Sequence, residues 1–406
     1  MGEPKEDMMK WEELGIYQGN RGHVCAECIG DPVLADLISQ NARMTSCSYC
    51  HRQSDRPFTA PLSYLVEIMA EIIREEWVDP VHELPFESAE GGYQGAPVLE
   101  GDELLEEIKF LPENEQLFED VASWFSSHPW CRRDAFSLTP SEIGQMGWKR
   151  FCQEVMHVRR YTFWTSLDDF VPEYHPDYLP PGRMLAEIKA VVDDLSLIRE
   201  FPQETQFWRA QEHKQGELLT VPDRFTSPPL SQAKQPNRMS PAGIPMFYGA
   251  EDFDTAVLEL SGKELKRGCE TSGLIFKALR PLHLLDLNHL GRHASYFGAN
   301  GRELWHRSRF LRYFARDVSK PIDRDERQHI DYVPTQVFTE YVRYHMASPS
   351  GQRVDGIRYL SSRNYRPCYV LFFDQEDCLK SREGRPQSLS FVPGSLKTVS
   401  LEAPRR

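Results

Sequence analysis

Two Cys-x-x-Cys pairs near the N-terminus, Cys25-Ala26-Glu27-Cys28 and Cys47-Ser48-Tyr49-Cys50, restrict the fold of this chain more than any other feature. Eighteen residues separate them, and C-x2-C-x18-C-x2-C lies within the spacing of a tetrahedral four-thiolate zinc site. Each pair closes a tight knuckle in which backbone amides support the thiolates. A redox pair or free thiols are the other readings of the same residues; two matched spacings favour structural zinc. Nine cysteines, an odd number, fit a reducing interior and a metal better than a disulfide framework. Glu27, Asp31 and Asp36 lie between or near the ligands, which argues for a clip rather than a nucleic-acid-binding ribbon. His23 and His51 flank the pairs as expected bystanders. Residues 1–60 are read as this zinc-binding knuckle region.

From 61 to 195 the apolar residues recur at helical steps. Leu62, Leu65, Ile68 and Ile72 share one face, as do Leu104, Leu105 and Ile108, and Leu117, Val121 and Trp124. A further helix is predicted from Ser141 through Trp148, Phe151 and Val155, and another through Met184, Leu185, Ile188, Val191 and Leu195. The expectation is an all-α domain. From 202 to 395 the pattern turns to mixed α/β, with strands predicted at Phe207–Ala210, Gly273–Leu279, Leu282–Leu287 and Cys368–Phe373. The last few residues are expected to be loose. The fold class is therefore α+β and multidomain.

The stretch from Asn237 to Leu260 concentrates the chemistry. Arg238 sits among Ser240, Pro241, Gly243 and Pro245, which set a guanidinium on a tight loop. Met246-Phe247-Tyr248 reads as a strand, and Asp252 and Asp254 then start a helix that carries Glu259. A guanidinium suits a diphosphate, an aromatic face a flat ring, and a carboxylate a ribose, the groups an NAD site needs.

That stretch resembles the central block of the RES domain family, bacterial toxins that destroy NAD and are named for their Arg, Glu and Ser. Arg238, Gly243, Pro245, Tyr248, Thr255, Ala256 and Glu259 occupy the positions of its motif. Tyr359-Leu360-Ser361-Ser362 is similar to the family's Tyr-x-Ser block, with Ser361 favoured over Ser362, and Arg209 in Phe-Trp-Arg-Ala matches an Arg on the first strand. The resemblance implies a mixed domain of ADP-ribosyltransferase-like fold with split sheets around an NAD cleft. It implies cleavage of the nicotinamide N-glycosidic bond of NAD by hydrolysis or phosphorolysis. Glu259 would stabilise the oxocarbenium-like transition state, Arg238 would grip the pyrophosphate, Arg209 would add a second phosphate or ribose contact, and Tyr248 would stack on nicotinamide or ribose. Ser361 would orient the carboxylate or bond a ribose hydroxyl. Gln336, in Tyr332-Val333-Pro334-Thr335-Gln336, reads as a helix-start residue or an adenosine contact.

The knuckles and the helical region resemble the HEPN-like module that precedes some RES domains. Arg150 and His157, with six residues between them, fit the spacing of a HEPN ribonuclease motif, and the favoured reading is a helical platform without that activity. Two alternatives stand beside NAD destruction: an ADP-ribosyltransferase acting on one protein target, and a zinc-clipped, non-enzymatic NAD-binding module. The resemblance implies an Xre-type antitoxin as partner, or cis inhibition by the N-terminal domain, and leaves a homodimer open.

A net charge of −14 repels phosphate backbones, so nucleic acid is not an expected partner. No run of about 20 apolar residues spans a membrane, and the N-terminus lacks a signal-peptide pattern, which predicts a cytoplasmic protein. G-x-G-x-x-G and G-x-x-x-x-G-K-[ST] are both absent, which sets aside Rossmann dehydrogenases and P-loop enzymes.

Overall fold

The longest ladder of the computed structural model pairs the strands Gln206–Lys214 and Cys269–Ala278 antiparallel, from Cys269↔Lys214 to Lys277↔Gln206. The structure describes residues 3–165, 177–217, 219, 222–261, 268–290, 294–320, 327–379 and 386–400. The last residues of the chain, read as loose, lie outside them.

The described residues divide into two compact units. One comprises 1–139 with 293–306, the other 140–292 with 307–406. The division at 139/140 falls inside the stretch 61–195 read as one helical domain. Its cause is the helix Pro140–His157, whose apolar face belongs to the second unit. Trp148 meets Phe314 edge-on at 4.8 Å, its indole N–H donates to Asp317 Oδ2 at 2.7 Å, and a Cβ on Gly144 would lie 2.6 Å from the Phe310 ring.

In the first unit the helix Leu62–Ile73 buries Leu62, Leu65, Val66, Met69, Ala70 and Ile73 against Leu117, Trp124, Phe125 and Trp130. Helices Gly101–Glu107 and Glu115–Phe125 complete this core, so the predicted helical periodicity is realised. The all-α expectation is not met in detail. Trp77–Val78 pairs with Cys131–Arg132, and Phe86–Glu87 with Gly92–Tyr93. These two-residue strands are too short for a sequence period to register. Residues from the distant segment 293–306 enter the same core: Tyr296, Phe297 and Trp305 are all buried there. Tyr296 donates to Glu76 Oε2 at 2.9 Å, and His306 Nε2 lies 2.7 Å from Glu76 Oε1.

The second unit is built on a nine-stranded mixed sheet. Its spatial order is Leu389–Phe391, Cys269–Ala278, Gln206–Lys214, Phe247–Ala250, Pro367–Leu371, Gly356–Leu360, Leu282–Asp286 and Ile198–Phe201, with Lys397–Ser400 also pairing with Cys269–Ala278. All neighbours run antiparallel except Leu282–Asp286 and Gly356–Leu360. Halfway across, Gln206–Lys214 meets Phe247–Ala250 at the single pair Trp208↔Ala250. One apolar cluster takes in Trp148, Phe151, Phe310, Phe314 and Phe338, another Phe207, Phe247, Phe276 and Leu371. The helix Phe253–Ser261 packs tightly on the long ladder, since a Cβ on Gly273 would lie 2.8 Å from the Phe253 ring. That close approach brings the helix carrying Glu259 over the strand carrying Arg209.

Candidate active site

Beside the single-pair join lies a cleft of about 650 Å³ in the second unit. Arg209 reaches it from Gln206–Lys214, Tyr248 from Phe247–Ala250, Glu259 from Phe253–Ser261, and Arg238 from the loop before Phe247–Ala250. Four of the five residues singled out in the sequence thus line one cavity, although up to 50 residues separate them. The fifth, Ser361, stands behind the wall.

Glu259 is held from two directions. Asp252 caps the helix, accepting from the Thr255 backbone N–H at 2.8 Å and from the Thr255 hydroxyl at 2.9 Å. Burial pushes the Asp252 carboxyl up, but the Thr255 bonds and Arg366 outweigh it and hold it below its usual range. Ala256, Glu259 and Leu260 then face the cleft at helical steps. From the turn after Gly356–Leu360, the fully buried Ser361 hydroxyl donates to Glu259 Oε1 at 2.5 Å. The backbone N–H of Arg363 donates to the same hydroxyl oxygen at 3.2 Å, which fixes its orientation. Asn364 Nδ2 donates to Thr255 Oγ1 at 2.8 Å and ties this turn to the first turn of the Glu259 helix. Ser361 has no exposed surface and does not face the cavity. Ser362 is half-buried and does not line it.

The two guanidinium groups differ in their surroundings. Arg238 donates from Nη1 to the carbonyls of Val318, at 3.4 Å, and Ser319, the last turn of the helix Gly301–Ser319. The negative end of that helix suits a cation, and one nitrogen of the fork is committed there. Arg209 donates from Nη1 to the Tyr248 carbonyl at 2.8 Å and lies 5.6 Å over the Phe247 ring. Its Nε is buried without a hydrogen-bond partner. Burial lowers its pKa, the signature of a cation without full compensation. Of the two, Arg209 has the greater unmet demand for an anion.

Tyr248 is braced by a 3.0 Å hydrogen bond between its hydroxyl and Ser240 Oγ, and burial pushes its phenol up to about 12. It is neutral at physiological pH and presents a ring to the cleft. The turn bearing Arg238 contains Gly243 at φ +86°, a backbone geometry that L side chains avoid and that explains glycine there. Tyr332, Tyr359 and Cys368 are also among the lining residues; the sequence reading placed the two tyrosines in motif blocks and gave none of the three a role in the site. Tyr359 and Cys368 pair across adjacent strands, so only the fold brings them to the cleft. Gln336 lies in the first turn of the helix Val333–His345, where it was expected, but its side chain donates to the Asn237 carbonyl at 2.8 Å.

Arg150 and His157 sit on the same helix, Pro140–His157. They lie seven residues apart on one helix, a rise of about 10 Å. The Arg150 guanidinium stacks 4.7 Å over the Tyr178 ring, whereas His157 is exposed at the helix end.

In the first unit Cys25, Cys28, Cys47 and Cys50 form a four-thiol cluster with all sulfurs within 4.8 Å of one another. Cys25–Cys28, Cys25–Cys50 and Cys28–Cys47 Sγ distances are 3.5, 3.8 and 3.9 Å. Tetrahedral zinc with Zn–S bonds of about 2.3 Å requires sulfurs about 3.8 Å apart, so the donor set fits. Burial raises the Cys47 thiol, but backbone hydrogen bonds at Cys50 and Tyr49 outweigh it and bring it down to about 7. Burial and the neighbouring sulfurs push Cys28 up instead. A divalent cation would favour the thiolate form of all four, leaving the site with a net charge of −2. His23 and His51 are not part of the cluster.

Two family models match the chain. One, described as RES domain, covers residues 206–392; the other, HEPN/RES N-terminal domain 1, covers 40–169. Comparison with curated proteins and with solved structures gave no match. No helix among the described residues is long and apolar enough to cross a membrane.

Proposed function

The chain carries a RES domain behind a HEPN/RES N-terminal domain, and from that premise we propose that it destroys NAD by cleaving the bond between nicotinamide and ribose. RES domains belong to enzymatic toxins that act on NAD. The observation that carries the reading is the Glu259 carboxylate, set by Ser361 at the wall of a cleft that also presents Arg209, Arg238 and Tyr248.

Breaking the N-glycosidic bond leaves positive charge on the ribose ring, and nicotinamide departs as a neutral base. The protein therefore supplies electrostatics and positioning rather than a proton to the leaving group. Glu259 Oε1 is occupied by the Ser361 hydroxyl, which leaves Oε2 for the ribose. Arg209 takes the diphosphate with its under-compensated guanidinium, and Arg238 adds the donors that the helix carbonyls do not use. Tyr248 offers its ring to nicotinamide or ribose. Water or inorganic phosphate then captures the ribose carbon. The single-pair join beside the cleft supports an ADP-ribosyltransferase-like split sheet. Cys25, Cys28, Cys47 and Cys50 would hold a zinc ion that would stabilise the first unit.

The test is nicotinamide release from NAD by the purified full chain, with and without phosphate, against Glu259→Gln. Release by the wild type and its loss in the variant support the reading. A wild-type chain that neither binds nor consumes NAD refutes it.

A further inference from the structure

The loop that presents Arg238 runs from 233 to 246 without a strand or helix. Its own bonds are Asn237 N–H to Ser240 O at 2.8 Å, Ser240 N–H to Asn237 O at 3.3 Å, Gly243 N–H to Ala233 O at 2.6 Å, Ile244 N–H to Pro241 O at 3.2 Å and Asn237 Nδ2 to Ser240 Oγ at 3.5 Å. A turn of this kind samples several geometries unless something outside it fixes the peptide planes.

That outside group is the start of the helix Val333–His345. Pro334 presets the first helical turn, and Gln336 bonds its backbone N–H to the Tyr332 carbonyl at 3.0 Å. The Gln336 side chain is buried, and its Nε2 donates to Asn237 O at 2.8 Å and Ser240 O at 3.4 Å, the two carbonyls that bracket Arg238. The Thr335 hydroxyl lies against the Arg238 carbonyl itself and within 2.9 Å of the Tyr332 carbonyl. Three positions of the turn, 237, 238 and 240, are therefore referenced to one helix end. The Arg238 guanidinium is meanwhile referenced to another helix end at Val318 and Ser319.

We infer that Gln336, assisted by Thr335, is the positioning residue of this cleft, holding the Arg238 turn so that the free donors of the guanidinium stay aimed at the diphosphate of the substrate. The inference rests on the NAD-cleaving reading given above. Gln336 does not line the cavity, so it acts through the turn that carries Arg238. The Asn237 and Ser240 carbonyls each lose one of their two donors when it is removed, and the turn relaxes toward the alternatives that a less tethered loop allows.

Arg238 grips a part of the substrate remote from the bond that breaks, so misplacing it weakens ground state and transition state alike. The expected signature is a rise in KM with little change in kcat. A merely destabilising substitution behaves differently: it lowers the amount of active protein, and hence the apparent kcat, at constant KM.

The experiment compares full-length wild type with Gln336→Leu, Arg238→Ala and the double variant. Nicotinamide release and calorimetric titration with NAD are both measured. Gln336→Leu is expected to raise KM and Kd about tenfold, and to change neither by more than about twofold once Arg238 is alanine. Thr335→Val and Thr335→Ser provide a milder pair, of which Ser keeps the hydroxyl and the wild-type affinity. This pair decides the matter if Gln336→Leu does not fold. Wild-type KM and Kd in Gln336→Leu, or a full additional loss in the double variant, overturn the inference and leave the NAD-cleaving reading intact. NAD binding without turnover overturns the enzymatic reading alone, and Kd then decides the role of Gln336.

Discussion

The hydroxyl of Ser361 donates to Oε1 of Glu259 at 2.5 Å across 102 residues of sequence. The carboxylate is thus oriented by a neutral donor, which leaves its charge in place. Replacing Glu259 by Gln keeps the shape and the bond acceptor but removes the charge. Nicotinamide release is expected to fall at least about a hundredfold, about 3 kcal/mol of transition-state stabilisation. Ser361→Ala, which only frees the carboxylate to rotate, is expected to cost about tenfold. Equal losses in the two variants, read from kcat/KM, would show that Ser361 does more than orient.

Arg209 and Arg238 separate in a second comparison. Arg209 carries a buried charge lacking full compensation, so Arg209→Met removes an electrostatic burden as well as the phosphate ligand proposed above. NAD affinity is expected to fall about tenfold or more while the melting temperature holds or rises. Arg238→Met also uncaps the Val318 and Ser319 carbonyls, and its melting temperature is expected to fall. Calorimetry and thermal unfolding on the two variants check both signs.

The cysteine cluster predicts about one zinc per chain by elemental analysis. Cys47→Ser is expected to lose the metal and unfold the first unit, because the ligand sphere supplies folding energy to a short segment. A chain that keeps its near-UV circular dichroism after exhaustive chelation would contradict the structural role.

Acid stability is expected to report Glu76. Burial pushes its carboxyl up, but His306, Tyr296 and Arg302 together outweigh burial and hold it below the usual 4.5. A carboxylate with a lowered folded pKa contributes stability that is fully present above the unfolded value. That contribution disappears as pH falls through the folded value. The melting temperature of wild type should therefore decline below about pH 4.5 more steeply than that of Glu76→Gln, whose side chain does not titrate.

Much of the cleft was legible because its parts are local. Asp252, Thr255 and Glu259 are a cap and a helix within eight residues, and Tyr248 lies on the strand just before them. Ser361 could be joined to them only through the RES motif, since no period links positions 102 residues apart. The destination of the Arg238 guanidinium was not legible at all. It depends on where the last turn of Gly301–Ser319 lies in space, as does the Gln336 anchor on the placement of Val333–His345. The helix Pro140–His157 shows the same limit: its period was plain, but which core it faces is decided by Phe310 and Phe314, more than 150 residues away.

The excursion of residues 293–306 into the first unit has a consequence for dissection. A truncation that removes 1–139 leaves Tyr296, Phe297 and Trp305 without the core that buries them, and strips His306 of Glu76. Such a fragment would expose an aromatic patch and aggregate even if its catalytic cleft were sound. A soluble minimal fragment thus requires a second cut, with 293–306 replaced by a short polar linker. Inheritance is tied in the same way. Loss of the N-terminal unit must be accompanied by rewriting of that internal segment, so the two halves are not exchangeable as a simple fusion.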